Sequence, residues 1–425
     1  MFFYFFYFLF SLVIYVVIHW VKFFSNKIHL NLKFQRKTLI GVMKKINSDD
    51  VQHKKILLFH AASAGEFEQI KPILRKIDRS KYYIIQSFTS STVYNLEYQN
   101  KLFDISCYHP YDFLWKSYIF FKSIKPDAYI VSRHDIWPMH ILMAKLFKVN
   151  VLYINANIHE NSIWVQPFIK KFSKTIFKNI DLCIVPSEMI KHHLSSIVSG
   201  SKIIISPDTR FSQVYDRYIM NKSTDYFFKN INDSNNIIFG SYDGKDEEII
   251  YNSLLKMYPK GEKSLISNNH RIILVPHEIN LKLINNLIKR LNRNNFSVQL
   301  YSTLKNQGLN ANVIIVDCVG LLADLYKYAY LAYIGGGFTR GVHSVLEPGV
   351  HGCAVAYGPN IEMLDELKKI NSLNLGKMVY DDKDLVKVLK ISLEKIKKQG
   401  IELKGFIWNK RNAANKMLTI IEKNI

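Results

Sequence analysis

Ile56-Leu57-Leu58-Phe59-His60-Ala61-Ala62-Ser63-Ala64-Gly65-Glu66-Phe67-Glu68 passes from an apolar run, through small residues, into an amphipathic stretch. A short apolar run that stops at small residues reads as a buried strand, and the periodic stretch after it as a helix. The chain repeats this unit. Strand-like runs recur at Tyr82–Phe88, Ala128–Ser132, Val151–Asn155, Leu182–Pro186 and Lys202–Ser206, with helical patterns such as Glu66–Ile77 and Ser162–Lys178 between them. Arg210 to Asn236 is polar and broken in pattern, and reads as a linker. The series restarts with Ile237–Ser241, Ile272–Pro276, Val298–Tyr301, Val313–Val316, Leu331–Ile334 and Ala354–Tyr357, separated by helices such as Leu281–Leu291 and Leu321–Tyr328. Alternating β and α predicts parallel sheets covered by helices on both faces. Two series predict two doubly wound, Rossmann-like α/β domains facing a cleft, with ligands beyond the carboxyl ends of the strands. The expected division is 1–24, 25–215, a linker 216–235, and 236–425 with a C-terminal helix.

Outside that frame, composition sets limits. In 425 residues, 48% hydrophobic and 22% charged, with 18 Gly and 11 Pro, there is a folded protein and no fibrous or low-complexity architecture. Four scattered cysteines (107, 183, 318 and 353) argue against a secreted disulfide framework and contain no CxxC metal pair. The net charge of +22 admits nucleic acid, anionic lipid or an anionic substrate. The aromatic residues lie mainly in the N-terminal run and in core-like runs, not interleaved with basic residues, so a nucleic-acid partner is not expected. Phe2 to Trp20 is nearly all apolar and long enough to cross a bilayer core of about 30 Å. It has neither a basic n-region nor a small-x-small cleavage site, which favours a retained anchor over a cleaved signal. Lys22, Lys27, Lys33, Arg36, Lys37, Lys44 and Lys45 follow with no acid before Asp49, which places the body on the cytoplasmic side, against an anionic membrane surface.

Several strand ends carry chemistry. Glu66 falls at a strand-to-helix turn, where a carboxylate can act as general base; alternatively, Ser63 caps the helix and Glu66 completes a capping box. Ser63 and Gly65, being small, let a ligand approach the backbone. Gly335-Gly336-Gly337-Phe338-Thr339-Arg340-Gly341-Val342-His343 follows a strand and opens a helix. Its backbone amides, with Arg340 and His343, suit a phosphate, and Glu347 suits ribose hydroxyls; the alternative is a tight turn. Arg133 and Asp135 would share a face if their strand continued, or form an internal ion pair. Asp208-Thr209-Arg210, Gly240-Ser241 and His277 also end strands. Asp382-Lys383-Asp384 reads as a helix start, not a cation site, and no HExxH, P-loop or GxSxG is present.

Ten segments in order carry a resemblance: HAASAGEFEQIKP, IIQSFTSST, YHPYD, KPDAYIVSRHDIWP, YINANIHENS, SPDTRF, GSYDG, VPHEI, VDCVGLLADLYKYA and YIGGGFTRGVHSVLEPGVHGCAVAYGPN. From about residue 30 to residue 370 the chain resembles the 3-deoxy-D-manno-octulosonic acid (Kdo) transferases of lipid A assembly, in the form found in Bacteroidetes-type bacteria. The resemblance implies the GT-B architecture and an inverting transfer of Kdo from CMP-Kdo to a lipid A precursor, without a metal or other cofactor. It implies Glu66 as catalytic base and Asp135 as the second acidic position. It puts Gly335, Gly336, Gly337, Arg340, His343, Glu347, His277 and Ser241 at the donor, and Ser63, Gly65 and Arg133 at the acceptor. The chain departs from the family pattern at Arg133 (Glu elsewhere), Asn157 (Arg), Pro207 (Gly), Ser344 (Asn) and Val345 (Pro). The rival readings are a uridine-dependent sugar transferase or sugar-nucleotide epimerase of the same architecture, and an inactive scaffold.

Overall fold

The computed structural model describes residues 2–49, 51, 53–220 and 234–425. The chain forms two compact units, Met1–Gln213 with Asn412–Ile425, and Val214–Arg411. The first is built on strands β1 Lys55–Ala61, β2 Tyr82–Phe88, β3 Ile105–Tyr108, β4 Ala128–Ser132, β5 Asn150–Ile154, β6 Leu182–Val185 and β7 Ile203–Ile205. All pair in parallel, in the order β3-β2-β1-β4-β5-β6-β7. The order reverses between β1 and β4, the point where such sheets open a crevice at their carboxyl ends. The second unit repeats the plan with β8 Asn235–Tyr242, β9 His270–Pro276, β10 Val298–Leu300, β11 Val313–Ile315, β12 Ala329–Ile334, β13 Ala354–Tyr357 and β14 Lys377–Met378. Its order is β10-β11-β9-β8-β12-β13-β14, reversing between β8 and β12.

Strand alternation sorts the first core onto two faces. Leu58 packs with Tyr129 and Val131 on one side of the sheet, and Leu57 and Phe59 pack with Ile130 on the other. The first face takes the N-terminal helices α1 (Phe2–Val21) and α2 (Asn26–Ser48) through Tyr4 and Val42. The second face takes the helix α3 (Ala64–Leu74) through Phe67 and Ile70, and the C-terminal helix Ala413–Glu422 through Met417 and Ile421.

The structure departs from the sequence reading in several places. The C-terminal helix belongs to the first unit, because Ala414, Met417, Leu418 and Ile421 bury their apolar stripe there. Arg210–Met220 is helical, not linker, and Phe211 and Val214 on it are buried; the linker residues 221–233 lie outside the described residues. Ser162–Lys178 divides into a 3-10 turn, Ile163–Val165, and a helix, Lys170–Phe177, with Pro167 between. Leu321–Tyr328 likewise divides into Leu322–Leu325 and the 3-10 turn Tyr326–Tyr328. Strands β3 and β14 are absent from the sequence reading: Ser106 interrupts the apolar run of β3, and β14 has only two residues. The Asp-x-Asp pair does start a helix, Asp382–Leu389, capped by Asp381.

Helix α1 is long and apolar enough to cross a membrane. One face of it nevertheless rests on the first unit. Tyr7 stacks on Phe172 at 5.9 Å, Tyr15 meets Trp115 at 5.3 Å, and the Tyr4 hydroxyl accepts from Asn179 Nδ2 at 3.1 Å. Phe5, Phe6, Phe10, Val13, Val16 and Trp20 are exposed.

Candidate active site

In the first unit the site residues gather at the β1/β4 reversal. Ser63 is the N-cap of α3: its Oγ accepts from Glu66 N at 3.3 Å. Glu66 Oε2 accepts in return from Ala62 N at 2.7 Å and Ser63 N at 3.1 Å. The capping box therefore exists, and it fixes a buried carboxylate at the strand end instead of excluding a chemical role. Burial, then the charge of Asp135, raises the Glu66 pKa, while His60 and the two amides pull it down. The net rise makes Glu66 a stronger base than a surface glutamate. Gly65 is exposed, and a Cβ there would meet nothing within 4 Å.

Asp135 lies in the turn after β4. Strand β4 ends at Ser132, and Arg133 has φ +63°, so Arg133 and Asp135 do not share a strand face as the spacing suggested. Asp135 Oδ2 contacts His60 Nε2, and Oδ1 accepts from Trp137 Nε1 at 2.6 Å. Burial pushes its pKa up, but His60 and Trp137 outweigh that and leave it below the ordinary range. Glu66 and Asp135 are thus two neighbouring carboxyls driven in opposite directions, the usual mark of divided roles. Arg133 Nε lies 3.3 Å from His134 Nε2, and its backbone carbonyl accepts from the Tyr153 hydroxyl. With the Gln69 amide oxygen turned toward them, Arg133 Nη1 (2.9 Å) and Arg210 Nε (3.1 Å) share that acceptor.

Sequence reasoning assigned no role to the groups behind Asp135. His60 and Ser87 are directly opposed in the β1–β2 register, which explains their contact of 3.1 Å. Ser87 Oγ donates to Phe59 O, so it receives from both His60 Nδ1 and His109 Nδ1, the latter at 3.0 Å. His60 thus meets Ser87 through Nδ1 and Asp135 through Nε2, and the two contacts fix its ring. Their signal in the sequence was only that His60, Ser87 and His109 each end, or directly follow, a strand.

In the second unit, the reversal between β8 and β12 carries the glycine run. Its glycines are explained by the protein's own backbone. A Cβ at Gly335 would stand 2.3 Å from Ser241 O, and one at Gly337 2.6 Å from Gly358 Cα; Gly336 has φ +88°. The loop amides are largely spent internally. Gly335 N donates to Gly240 O, His343 N to Gly335 O, and Gly336 N to buried Asp246 Oδ2 at 2.7 Å. The expected row of available loop amides is thus corrected, and the loop opens no helix directly: the next, Leu346–His351, starts after Val345. Asp246, unmarked in the sequence reading, also accepts from Tyr333 OH at 2.7 Å.

A cavity of about 540 Å³ lies beside this loop, lined by His277, Gly336, Arg340 and His343 together with Lys245 and Asn280. His277 and His343 stack at 4.6 Å. Burial, then the neighbouring His277, lowers the His343 pKa. Ser241, Gly335 and Gly337 do not line this cavity. Glu347 does not line it either, and stands 4.0 Å from Arg217.

Residues 35–213 match the family described as 3-Deoxy-D-manno-octulosonic-acid transferase (kdotransferase). The chain is 27% identical over 363 residues to the 3-deoxy-D-manno-octulosonic acid transferase of Aquifex aeolicus, covering 83% of this chain and 91% of that one. It is 25% identical over 354 residues to the enzyme of the same name from Chlamydia muridarum, covering 81% and 79%. A bifunctional glycosyltransferase/methyltransferase of Fusobacterium nucleatum is 25% identical over 404 residues, 92% of this chain but 60% of that longer protein. Among solved structures, UDP-GlcNAc 2-epimerase from Neisseria meningitidis superposes with a TM-score of 0.62 at 15% identity, covering 87% of this chain and all of that one. A glycosyltransferase from Rickettsia africae gives 0.58 at 14% identity, covering 87% and 97%. These two establish the GT-B-like fold of paired Rossmann-like sheets and nothing further. The family match in the first unit, and relatives aligned along most of the chain at 25–27% identity, make this chain similar to the Kdo transferases.

Proposed function

We propose that the protein is a Kdo transferase of the Bacteroidetes-type branch, and that it transfers Kdo from CMP-Kdo to a phosphorylated lipid A precursor, with inversion. The observation that carries this reading is the pair Glu66 and Asp135, held side by side at the β1/β4 reversal with opposed pKa shifts. An acceptor hydroxyl must lose its proton as its oxygen bonds to the anomeric carbon. Glu66 takes that proton, and the raised pKa suits the task. Asp135, kept ionised by His60 and Trp137, orients the acceptor and favours the charge developing at the sugar. Ser63, Gly65 and Arg133 border the acceptor, Arg133 matching a phosphate. The sugar–phosphate bond breaks, and CMP leaves as an anion. Arg340, Lys245, His277 and His343, around the cavity of the second unit, receive its phosphate, and Glu347, outside that lining, is assigned to the ribose. The reaction needs no metal in this scheme, because Arg340 and Lys245 neutralise the leaving group and the two imidazoles offer hydrogen bonds to it. Helix α1 attaches the protein to the cytoplasmic face of the inner membrane, where its lipid acceptor is made.

The full chain in detergent, given CMP-Kdo made in situ and a tetraacylated lipid A precursor with chelator present, should yield a product heavier by one or more Kdo units. CMP binding without transfer would redirect the acceptor assignment. Failure to bind CMP, with binding of a uridine diphosphate instead, would replace this reading by the uridine-donor one.

A further inference from the structure

Asp112, in the turn after β3, takes no part in the chemistry above, yet it is buried and fully used. Its Oδ1 accepts from His140 N at 2.8 Å and its Oδ2 from Met139 N at 3.1 Å. These are the first amides of the helix Pro138–Leu146, whose N-cap residue, Trp137, makes no side-chain cap bond. Asp112 is thus a borrowed cap, and its charge complements the positive helix end. A third donor reaches it from 105 residues away: the Tyr7 hydroxyl on α1, at 2.8 Å.

Two routes join this cap to Asp135. The backbone route runs from the capped amides through Trp137, whose indole holds Asp135. The side-chain route runs from His140 Nδ1 to His109 Nε2 (3.2 Å), then through Ser87 to His60 and Asp135. Burial keeps His109 and His140 uncharged, so this second route is, as far as Ser87, a chain of neutral, oriented hydrogen bonds.

We infer that Tyr7 is a positioning residue: from the apolar N-terminal helix, its hydroxyl holds Asp112 as the cap that fixes the turn presenting Asp135 beside Glu66. The seating of α1 on the first unit is thereby felt at the site. The effect on turnover rests on the transferase reading; the hydrogen-bond coupling does not.

Sign and window follow from the groups facing Asp112: Tyr7 and Tyr4 from α1, His140 from the capped helix, Tyr129 from β4, and Asp135 from the turn. Burial pushes the Asp112 pKa up to about 6, against the amides of Met139 and His140 and the Tyr7 hydroxyl, which hold it down. Removing the hydroxyl raises it further, so the ionised cap is lost at a higher pH.

The test is Tyr7→Phe in the full chain, in detergent micelles, beside Tyr4→Phe, which removes the bond to Asn179 but leaves Asp112 untouched. In Tyr7→Phe the acid limb of kcat should move up by about one pH unit, a loss of about tenfold on that limb that recovers at alkaline pH. The KM for CMP-Kdo should stay unchanged, and Tyr4→Phe should keep the wild-type limb. The carboxyl stretch of Asp112 in infrared difference spectra, assigned with Asp112→Asn, should show the same upward shift of its protonation midpoint. An unmoved infrared midpoint, or a kcat loss equal at every pH, overturns the proposal. If the wild type transfers no Kdo, the transferase reading fails, and the infrared midpoint alone decides the coupling.

Discussion

Glu66 caps a helix and is the proposed base, and substitutions separate the two roles. Glu66→Gln keeps an oxygen for the Ala62 and Ser63 amides but cannot take a proton. It should lower kcat by about 10²–10⁴-fold with little change in melting temperature. Glu66→Ala should lose the same activity and also about 0.5–2 kcal/mol of stability, the usual worth of a cap. The pH dependence has a defined sign. Folding raises the Glu66 pKa, so its contribution to stability is full below the unfolded value and is lost as pH rises through the folded one. Glu66→Gln should therefore flatten the stability profile above the ordinary glutamate range, which denaturant titration at several pH values would show. Glycines separate in a similar way. Gly335→Ala pushes a Cβ into the backbone at Ser241 and should destabilise by about 1–3 kcal/mol, as overpacking does. Gly65→Ala meets open space, so its melting temperature should stay put and any loss should appear in the KM for the lipid acceptor. A Gly65→Ala enzyme with wild-type KM would remove Gly65 from the acceptor site.

At the scale of elements, the C-terminal helix is a structural part of the first unit. Met417 and Ile421 are fully buried against Leu57, Phe59 and Phe67. Met417→Ala should cost about 2–5 kcal/mol, read as a lower denaturant midpoint, and should spare CMP binding, which we propose for the second unit. A Met417→Ala protein that keeps its midpoint but loses CMP binding would place the helix with the second unit after all. Periodicity made this helix visible but gave no hint of its partner, because an apolar stripe fits either sheet equally well. Helix α1 shows the same limit. Its apolar length was legible, whereas the face bearing Tyr4, Tyr7 and Tyr15 matters only because Asn179, Asp112 and Trp115 wait opposite.

Over the whole molecule, two forces favour a membrane surface: a net charge of +22 and the exposed aromatic and aliphatic face of α1. Salt screens the first and not the second. Binding to anionic vesicles should therefore weaken but persist as salt rises from about 0.05 to 0.5 M, where the screening length falls below about 10 Å. A Phe6→Ser, Phe10→Ser, Val13→Ser variant should be released completely at the upper end. Full release of the wild type would leave charge as the only attraction. The sequence by itself determined the α/β class and most strands, because continuous apolar runs ending at small residues are buried strands in almost any context. It also placed Glu66 and the glycine run at strand ends. Only the tertiary structure decided the strand order that brings β1 beside β4 and β8 beside β12. It also joined Asp112, His60, Ser87 and His109 behind Asp135, and spent the glycine-loop amides on the loop itself. Those outcomes depend on pairing between residues far apart in the chain, and local propensity and spacing carry no information about which distant partner a group will meet.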